Sequence, residues 1–247
     1  MFNKTLLIII IITIILIIYF LKSDSIKGTD TINKLYTLFL NDTPEYYEIN
    51  YEWATNLKKN YKIIYKEYLD YIKENNLVSY GKLVNNQEAI DVSNIPWPVI
   101  FLRVYNNNTN KIKYFPKTYE LINSIPECTL AMFSILPPNK IIPTHSGPYK
   151  GVLRYHLALK TPTNTENCFI VVNNKKYNWK EGTDVLFDDT YSHRVENNTD
   201  EYRVILFLDI KRNFNNIILD TINRIILNLL QFSDTVSDIV TNVNEKS

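Results

Sequence analysis

Residues 152–159, VLRYHLAL, decide the fold class, because their apolar side chains recur at every second position. In a β-strand, alternate side chains point to opposite faces, so this stretch predicts a strand with one wholly apolar face. The other face would carry Arg154 and His156. A buried guanidinium needs an anionic partner, and the strand itself contains no Asp or Glu. Either a carboxylate from elsewhere in the chain pairs with Arg154, or a bound anion does.

The chain on both sides of this strand has the same β character. Turn residues such as Pro137-Pro138 and Asn173-Asn174 separate short apolar runs. Several short strands at this spacing predict a small barrel or jelly roll. The further strand candidates are Leu130–Leu136, Phe169–Val172, Asp184–Phe187 and Arg203–Ile210.

Helices are predicted on either side of the β region. Pro44 would open one helix, since proline is tolerated in a first turn, and its stripe of apolar residues would pack on the core. Phe214 to about Val240 would form a C-terminal helix. Its apolar face is predicted to pack against the β domain, with a membrane surface or a partner as the alternative. The first stripe is Trp53, Leu57, Tyr61, Ile64, Tyr68 and Ile72; the second is Ile218, Ile222, Ile225, Leu229 and Phe232.

The N-terminal segment predicts a membrane anchor. Residues 5–21 are seventeen residues without a charge, mostly Ile and Leu, with Lys4 and Lys22 at their flanks. At about 1.5 Å per residue, such a helix barely spans a hydrocarbon core of about 30 Å. A cleaved signal peptide is the alternative, but the segment lacks a small-x-small cleavage site. The flanking charges are too balanced to predict on which side of this single-pass anchor the domain lies.

Composition excludes several classes of protein. The 247 residues include 27 Lys and Arg against 26 Asp and Glu, so no basic excess indicates nucleic-acid binding. Two cysteines exclude a disulfide scaffold and a Cys-rich zinc site. The predicted organisation is a transmembrane anchor (1–22), a stem and helical adaptor (23–114), a β domain (115–212) and a C-terminal helix and tail (213–247). The oligomeric state cannot be predicted from these features.

The three histidines lie close together in the sequence. His145 precedes a Gly-Pro turn, His193 follows about fifty residues later, and Arg203 comes ten residues after that. This spacing is typical of a non-heme iron oxygenase, because imidazoles suit Fe(II) and such sites leave coordination positions open. An arginine offers a planar, bidentate match to the far carboxylate of 2-oxoglutarate.

Beyond spacing, residues 125–212 resemble the aspartyl/asparaginyl β-hydroxylase family of Fe(II)/2-oxoglutarate dioxygenases. Together with the N-terminal anchor, these blocks look most like the membrane-bound lipid A acyl-chain hydroxylases of that family. The matching blocks are AMFSILPP (131–138), HSGPY (145–149), LRYHLAL (153–159), WKEG (179–182), FDDTYSH (187–193) and RVILFLD (203–209), with FPKT (115–118) and Ile125-Pro126 upstream.

The resemblance implies a mainly β fold, with a double-stranded β-helix (jelly-roll) core and flanking helices. It implies Fe(II) as the metal and 2-oxoglutarate and O2 as cosubstrates. His145 and His193 would be the iron ligands. Arg203, helped by Ser134, would hold the distal carboxylate of 2-oxoglutarate. The residues implied to face its metal-side carboxylate are Arg154 and His156.

Gly147 departs from the common pattern of this enzyme class. Many such enzymes place a carboxylate ligand two residues after the first histidine. The branch of the family that hydroxylates peptide residues looks to have Gly at that position, as this chain does. Gly147 therefore favours the Asp/Asn-hydroxylating branch, while the anchor favours the lipid branch. Asp188 is a candidate to orient His193 or to cap a turn.

The expected function is a membrane-anchored hydroxylase that acts on an unactivated C–H bond, either of Asp/Asn in a polypeptide or of a lipid acyl chain. The alternative is a catalytically inactive β-helix that binds a ligand or partner at a membrane. Retention of all the implied iron and cosubstrate residues argues against that alternative.

Overall fold

The computed structural model describes residues 32–34, 36–38, 40, 43–84 and 95–246. The predicted anchor therefore lies outside the described residues. Within those ranges, no helix combines the length and the apolar character that crossing a membrane requires.

Two β-sheets form the centre of the protein. The larger sheet has eight strands in the order β1-β10-β7-β12-β5-β3-β2, with β4 paired to β3, and the smaller has four in the order β6-β11-β8-β9. Every strand pair is antiparallel. The strands are β1 (Tyr46–Tyr47), β2 (Val78–Ser79), β3 (Pro98–Val104), β4 (Asn107–Asn108), β5 (Cys128–Leu136), β6 (Ile141–His145), β7 (Val152–Lys160), β8 (Cys168–Val172), β9 (Lys175–Asn178), β10 (Asp184–Phe187), β11 (His193–Asn197) and β12 (Arg203–Lys211).

From β5 onward, successive strands join the two sheets in the order of a jelly roll. Apolar side chains of both sheets meet in one buried cluster, which includes Met132 and Phe207 of the larger sheet and Ile170 and Val195 of the smaller. This mainly β architecture with flanking helices is the predicted fold class. From β5 onward, three strands were not predicted, namely β6, β9 and β11.

Helices cover the other face of the larger sheet. Leu57, Ile64 and Tyr68 are buried there against sheet residues such as Phe133 and Tyr155, so the predicted stripe does pack on the core. The helices are α1 (Glu52–Lys59), α2 (Tyr61–Glu74), α3 (Tyr80–Leu83), α4 (Pro116–Asn123), α5 (Ile217–Leu230) and α6 (Asp234–Glu245), with a 3-10 turn at Asn110–Tyr114.

Two helix predictions were wrong in detail. Pro44 does not open a helix, because β1 pairs with β10 and α1 begins only at Glu52. The C-terminal region forms two helices, because Ser233 caps α6 by accepting a hydrogen bond from Val236 N.

The face of α5 that packs inward is also not the predicted one. Leu219, Asn223 and Ile226 are buried, whereas Ile218 and Ile225 of the predicted stripe are exposed. The sequence holds two apolar faces on this helix, and periodicity alone does not tell which one meets the core.

The N-terminal helical residues, 32–34 and 36–38, pack against α5. Tyr36 is fully buried beside Phe214, with their ring centroids 4.7 Å apart, and Ile32 joins the same cluster as Leu219 and Ile226. The side chain of Asn33 donates to Pro148 O (2.8 Å) and accepts from Lys150 N (2.8 Å). These contacts fix the loop that follows His145.

Candidate active site

His145 and His193 face each other at the end of the smaller sheet. His145 ends β6, His193 begins β11, and the two are register partners with ring centroids 4.2 Å apart. His145 Nδ1 lies 2.8 Å from Pro143 O, and His193 Nδ1 lies 2.9 Å from Tyr191 O. A carbonyl oxygen only accepts, so each Nδ1 carries the hydrogen and each Nε2 keeps its lone pair.

The environment keeps both imidazoles neutral. Burial lowers the pKa of His145, and burial together with the neighbouring His145 lowers the pKa of His193 to about 3. A neutral imidazole is the form that binds a metal ion. Within the described ranges, no cluster of three or more His, Cys, Asp or Glu side chains could hold a metal. The two Nε2 atoms could hold a metal ion, and Gly147 offers no side-chain ligand beside them.

Arg203 is a buried cation without a carboxylate partner among the described residues. Its Nη2 donates to Ser134 Oγ at 3.1 Å, its Nε has no hydrogen-bond partner, and its guanidinium lies 4.7 Å from the centroid of the Trp179 ring. Burial lowers the pKa of Arg203 to about 10. A buried charge normally has a counter-charge, so this geometry fits a bound anion.

Ser134 is held so that its hydroxyl can only donate into the cavity. Its Oγ accepts from Trp97 Nε1 at 3.0 Å and from Arg203 Nη2 at 3.1 Å. Both of these groups are donors only, and a serine oxygen has two acceptor lone pairs. The remaining hydroxyl hydrogen adds a neutral donor to the same anion site.

Arg154, by contrast, is already paired with carboxylates of the protein. Its Nη1 lies 2.8 Å from Asp189 Oδ2, while its Nε and Nη2 lie 2.9 and 3.2 Å from the two carboxylate oxygens of Asp209. Its guanidinium also covers the ring of Phe207 at 4.4 Å. Carboxylates from other parts of the chain therefore provide the partner that the strand itself lacks.

His156, which points to the same side of β7 as Arg154, has no partner for either ring nitrogen. It is buried between aromatic rings, with centroids 5.0 Å from those of Phe187 and Phe207. Burial lowers the pKa of His156 well below its usual range, and the charges of Arg203 and Arg154 act in the same direction. A buried, neutral imidazole with free nitrogens can contact a ligand in the cavity.

Asp189 is a site residue that the sequence analysis missed. Its carboxylate is buried, its Oδ1 has no partner, and it fills the space where a side chain at position 147 would lie. Burial raises the pKa of Asp189 to about 6, although the charge of Arg154 opposes this shift. The only sequence signal was its place in the FDDTYSH block.

Asp188 has a different role from the one predicted first. Its Oδ1 accepts from Thr190 N (3.1 Å) and Thr190 Oγ1 (2.6 Å), and its other oxygen pairs with Lys150 and Arg212. It thus caps the turn before β11, whereas the carbonyl of Tyr191 orients the ring of His193.

The histidines, the two arginines and Ser134 surround one cavity, and the space between its walls is about 360 Å³ when the open solvent at its mouth is included. All six sequence-predicted site residues line it, which places the two histidines of the pair, both arginines, Ser134 and His156 around a common space. Apolar residues form the rest of its wall. The full lining is Trp97, Ser134, Ile142, His145, Arg154, His156, Ile170, Phe187, His193, Val195, Arg203, Ile205 and Phe207.

Comparison with known proteins gives one family. The family model described as aspartyl/asparaginyl beta-hydroxylase matches residues 58–213. An ornithine lipid ester-linked acyl 2-hydroxylase of Rhizobium tropici is 35% identical over 172 residues, which is 69% of this chain and 61% of that protein. The human aspartyl/asparaginyl beta-hydroxylase is 34% identical over 108 residues, 42% of this chain and 14% of that protein.

Among solved structures, a prolyl-4-hydroxylase of Pseudomonas putida aligns with a TM-score of 0.42 at 12% identity, over 63% of this chain and 88% of that one. The chain spans less than two thirds of the length of the two curated relatives described above. The family model, however, matches more than half of the chain. The chain therefore belongs to the aspartyl/asparaginyl beta-hydroxylase family.

Proposed function

We propose that this protein is a membrane-anchored, Fe(II)- and 2-oxoglutarate-dependent dioxygenase that hydroxylates an unactivated C–H bond. The observation that carries the proposal is Arg203, a buried cation without a carboxylate partner in the described chain, in the same cavity as His145 and His193. A cosubstrate with two carboxylates suits such a cavity, because one carboxylate can meet the guanidinium while the other meets a metal ion.

The two imidazoles would hold the iron. Hydrogen bonds from Nδ1 of His145 and His193 to backbone carbonyls fix both rings before any metal arrives. Bound there, Fe(II) with 2-oxoglutarate and O2 would supply the oxidant for hydroxylation, with release of succinate and CO2. The chain contributes position, charge and an apolar enclosure.

The distal carboxylate of 2-oxoglutarate would lie between Arg203 and the hydroxyl of Ser134. The ring of Trp179 lies against one side of the Arg203 guanidinium. Packing, rather than a hydrogen bond to a protein acceptor, therefore orients the free Nε. His156 would face the metal-side carboxylate through a free ring nitrogen. Arg154 would contribute less, because Asp189 and Asp209 already neutralise it.

Asp189 would supply part of the negative charge that a carboxylate at position 147 would otherwise provide. Its carboxylate lies beside that glycine, and Arg154 holds it there at 2.8 Å. We assign it no bond to the metal. Its role would be to place a buried negative charge next to the loop of the first iron ligand.

A lipid acyl chain is the substrate that we propose. The rest of the cavity wall is apolar, with Ile142, Phe187 and Val195 among its residues. The relative that aligns over 69% of this chain is named as an acyl 2-hydroxylase. Asp or Asn of a polypeptide is the second candidate, which the name of the human relative and Gly147 favour.

The testing experiment is the conversion of 2-oxoglutarate to succinate by the full chain, with and without Fe(II). We expect iron-dependent turnover that is lost in His145→Ala and in His193→Ala, while both variants stay folded. Thr144→Ala, at an exposed position of the same strand, is the matched control and should retain turnover. Turnover that persists in either histidine variant would contradict the iron site. A mass increase of 16 Da in lipid, or instead in peptide, would identify the substrate.

A further inference from the structure

The outward face of α5 and the turn after it carry four exposed apolar side chains, beside the exposed polar residues Thr221, Arg224 and Asn228. Ile217 is 77% exposed, Ile218 50%, Ile225 39% and Phe232 77%. At 3.6 residues per turn, the three isoleucines fall on one side of α5, and Phe232 lies in the turn that follows the helix. We call them the Ile/Phe face.

No carboxylate lies on the outward side of α5. The helix contains a single acidic residue, Asp220, which is buried and paired with Lys211 at 2.6 Å. The one charged side chain that is exposed on α5 is Arg224, which also pairs with Asp220. A helix that combines exposed apolar side chains with a cation and itself exposes no acid suits the headgroup region of a bilayer. The next exposed acid along the chain is Asp234, at the start of α6.

The proposed anchor would hold this side of the domain near a membrane. Ten residues, 22–31, separate the uncharged run 5–21 from Ile32. At about 3.3–3.6 Å per residue, such a segment spans at most about 40 Å. Ile32 and Tyr36 pack against α5 through Leu219 and Ile226. An anchor in residues 5–21 would therefore tether the domain on the side where α5 lies.

We propose that the Ile/Phe face docks onto the surface of the membrane that the anchor enters, with its side chains among the lipid headgroups and upper acyl chains. This inference rests on the membrane anchorage in the proposed function. A second copy of the chain is a poorer occupant, because four side chains on one helix offer much less than the roughly 800 Å² per partner of a standard protein interface.

Docking by this face would also set the site's distance from the lipid. The buried face of α5 contacts the loop after His145. The hydroxyl of Tyr149 donates to Asn223 Oδ1 at 2.6 Å, and Asn223 Nδ2 donates to Gly151 O at 2.8 Å. Asn33 binds the same loop. One layer of helix would thus separate the loop of the first iron ligand from the bilayer, which suits a substrate drawn from lipid.

The experiment uses the full chain in phospholipid vesicles, with a fluorophore on Ile218→Cys and, in a second sample, on Ile63→Cys. Ile63 is the matched control: it is an exposed helical isoleucine (48%) on α2, in a neighbourhood that includes Lys62 and Lys66. Both native cysteines are buried. We expect lipids that carry a quencher near the headgroup to quench the label at position 218 several-fold more strongly than the label at 63.

Flotation of the vesicles separates the two proposals. Protein that fails to float with the vesicles would overturn the anchor and the docking face together. Protein that floats while both labels are quenched equally would overturn the docking face alone. A label at 218 that is protected from lipid but cross-links to a second chain would likewise overturn lipid docking, in favour of an interface between copies.

Discussion

The carboxylate of Asp189 occupies the space next to the Cα of Gly147, where any larger residue would place its side chain. The two residues are also joined by a hydrogen bond from Gly147 N to Asp189 O, at 2.7 Å. Arg154 holds the carboxylate in position. Crowding therefore requires glycine here. A left-handed backbone does not, because Gly182 is the glycine with a positive φ among the described residues.

Gly147→Ala should destabilise the protein by about 1–3 kcal/mol, the usual cost of overpacking a filled site. The added methyl group would force the carboxylate of Asp189 away from Arg154 or shift the loop of His145. Thermal or urea unfolding of the metal-free chain measures the effect. In the Asp189→Ala background the same substitution should cost much less, because the obstructing carboxylate is gone. An equal cost in both backgrounds would contradict this account of Gly147.

The stability of the metal-free protein should fall as the pH drops from about 6.5 towards 4. Burial lowers the folded-state pKa of all three histidines, to about 3 for His193. Below about 6.5 the unfolded chain therefore binds protons that the folded chain does not, at up to about 1.4 kcal/mol per pH unit for each histidine. Asp189, whose folded pKa is raised to about 6, acts in the opposite sense between about 4 and 6. The three histidines outweigh the one carboxyl of Asp189, so the free energy of unfolding should be lower at pH 5 than at pH 7. Urea unfolding at the two pH values would detect this difference.

His156→Phe isolates one part of this pH dependence. Phenylalanine suits a position between Phe187 and Phe207, and it removes two ring nitrogens that lack partners. We expect the loss of stability between pH 7 and 5 to shrink by up to about 1.4 kcal/mol per pH unit, while the apparent constant for 2-oxoglutarate rises. An unchanged pH dependence would mean that His156 is protonated in the folded state.

Trp97→Phe should weaken 2-oxoglutarate binding without slowing the step that follows it. The indole N–H occupies one lone pair of Ser134 Oγ, and without it the hydroxyl is free to turn away from the anion. A lost neutral hydrogen bond costs about 0.5–1.5 kcal/mol, so we expect roughly a two- to tenfold rise in the apparent constant with kcat little changed. In a Ser134→Ala background, Trp97→Phe should have no further effect. A full additional loss there would show that Trp97 acts independently of Ser134.

Deleting residues 1–27 should release a soluble chain that still turns over 2-oxoglutarate, because the described contacts to the site begin beyond that point. Deleting residues 1–42 is the contrasting variant, since it removes Asn33 and its two hydrogen bonds to the loop after His145. We expect the longer deletion to lose both stability and turnover. If the shorter deletion is folded and iron-loaded but inactive, the N-terminal segment does more than tether the domain.

Much of the site could be predicted because strand alternation and a motif carry local information. The alternation in residues 152–159 correctly places Arg154 and His156 on one side of β7, and the spacing of His145, His193 and Arg203 brings three distant side chains to one cavity. The pairing of Arg154 with Asp209 could not be predicted in the same way. It depends on β12 lying next to β7, with Asp209 opposite Arg154, and a long-range register leaves no local signal.

The buried face of the C-terminal helix could not be predicted from the sequence pattern. Its sequence has two apolar faces, so periodicity predicted a helix correctly and its buried face wrongly. The buried face includes Asn223, a polar residue that hydrogen-bonds to Tyr149, Gly151 and Arg212 in the interior. Hydropathy alone ranks such a residue as exposed. The boundary at Ser233 was missed because a single capping hydroxyl is a weak signal.

The most direct test of the central claim is the binding of 2-oxoglutarate and of Fe(II) to Arg203→Met, with Arg154→Met as the comparison. Methionine keeps a long apolar stem but removes the guanidinium, which donates to Ser134 and has no carboxylate partner among the described residues. Loss of a desolvated charge pair costs about 2–5 kcal/mol, or roughly thirty- to several-thousand-fold in affinity. The account predicts a loss of that size for 2-oxoglutarate in Arg203→Met, a smaller loss in Arg154→Met, and unchanged Fe(II) binding in Arg203→Met. Equal loss of both ligands in Arg203→Met, or no loss of either, would contradict it.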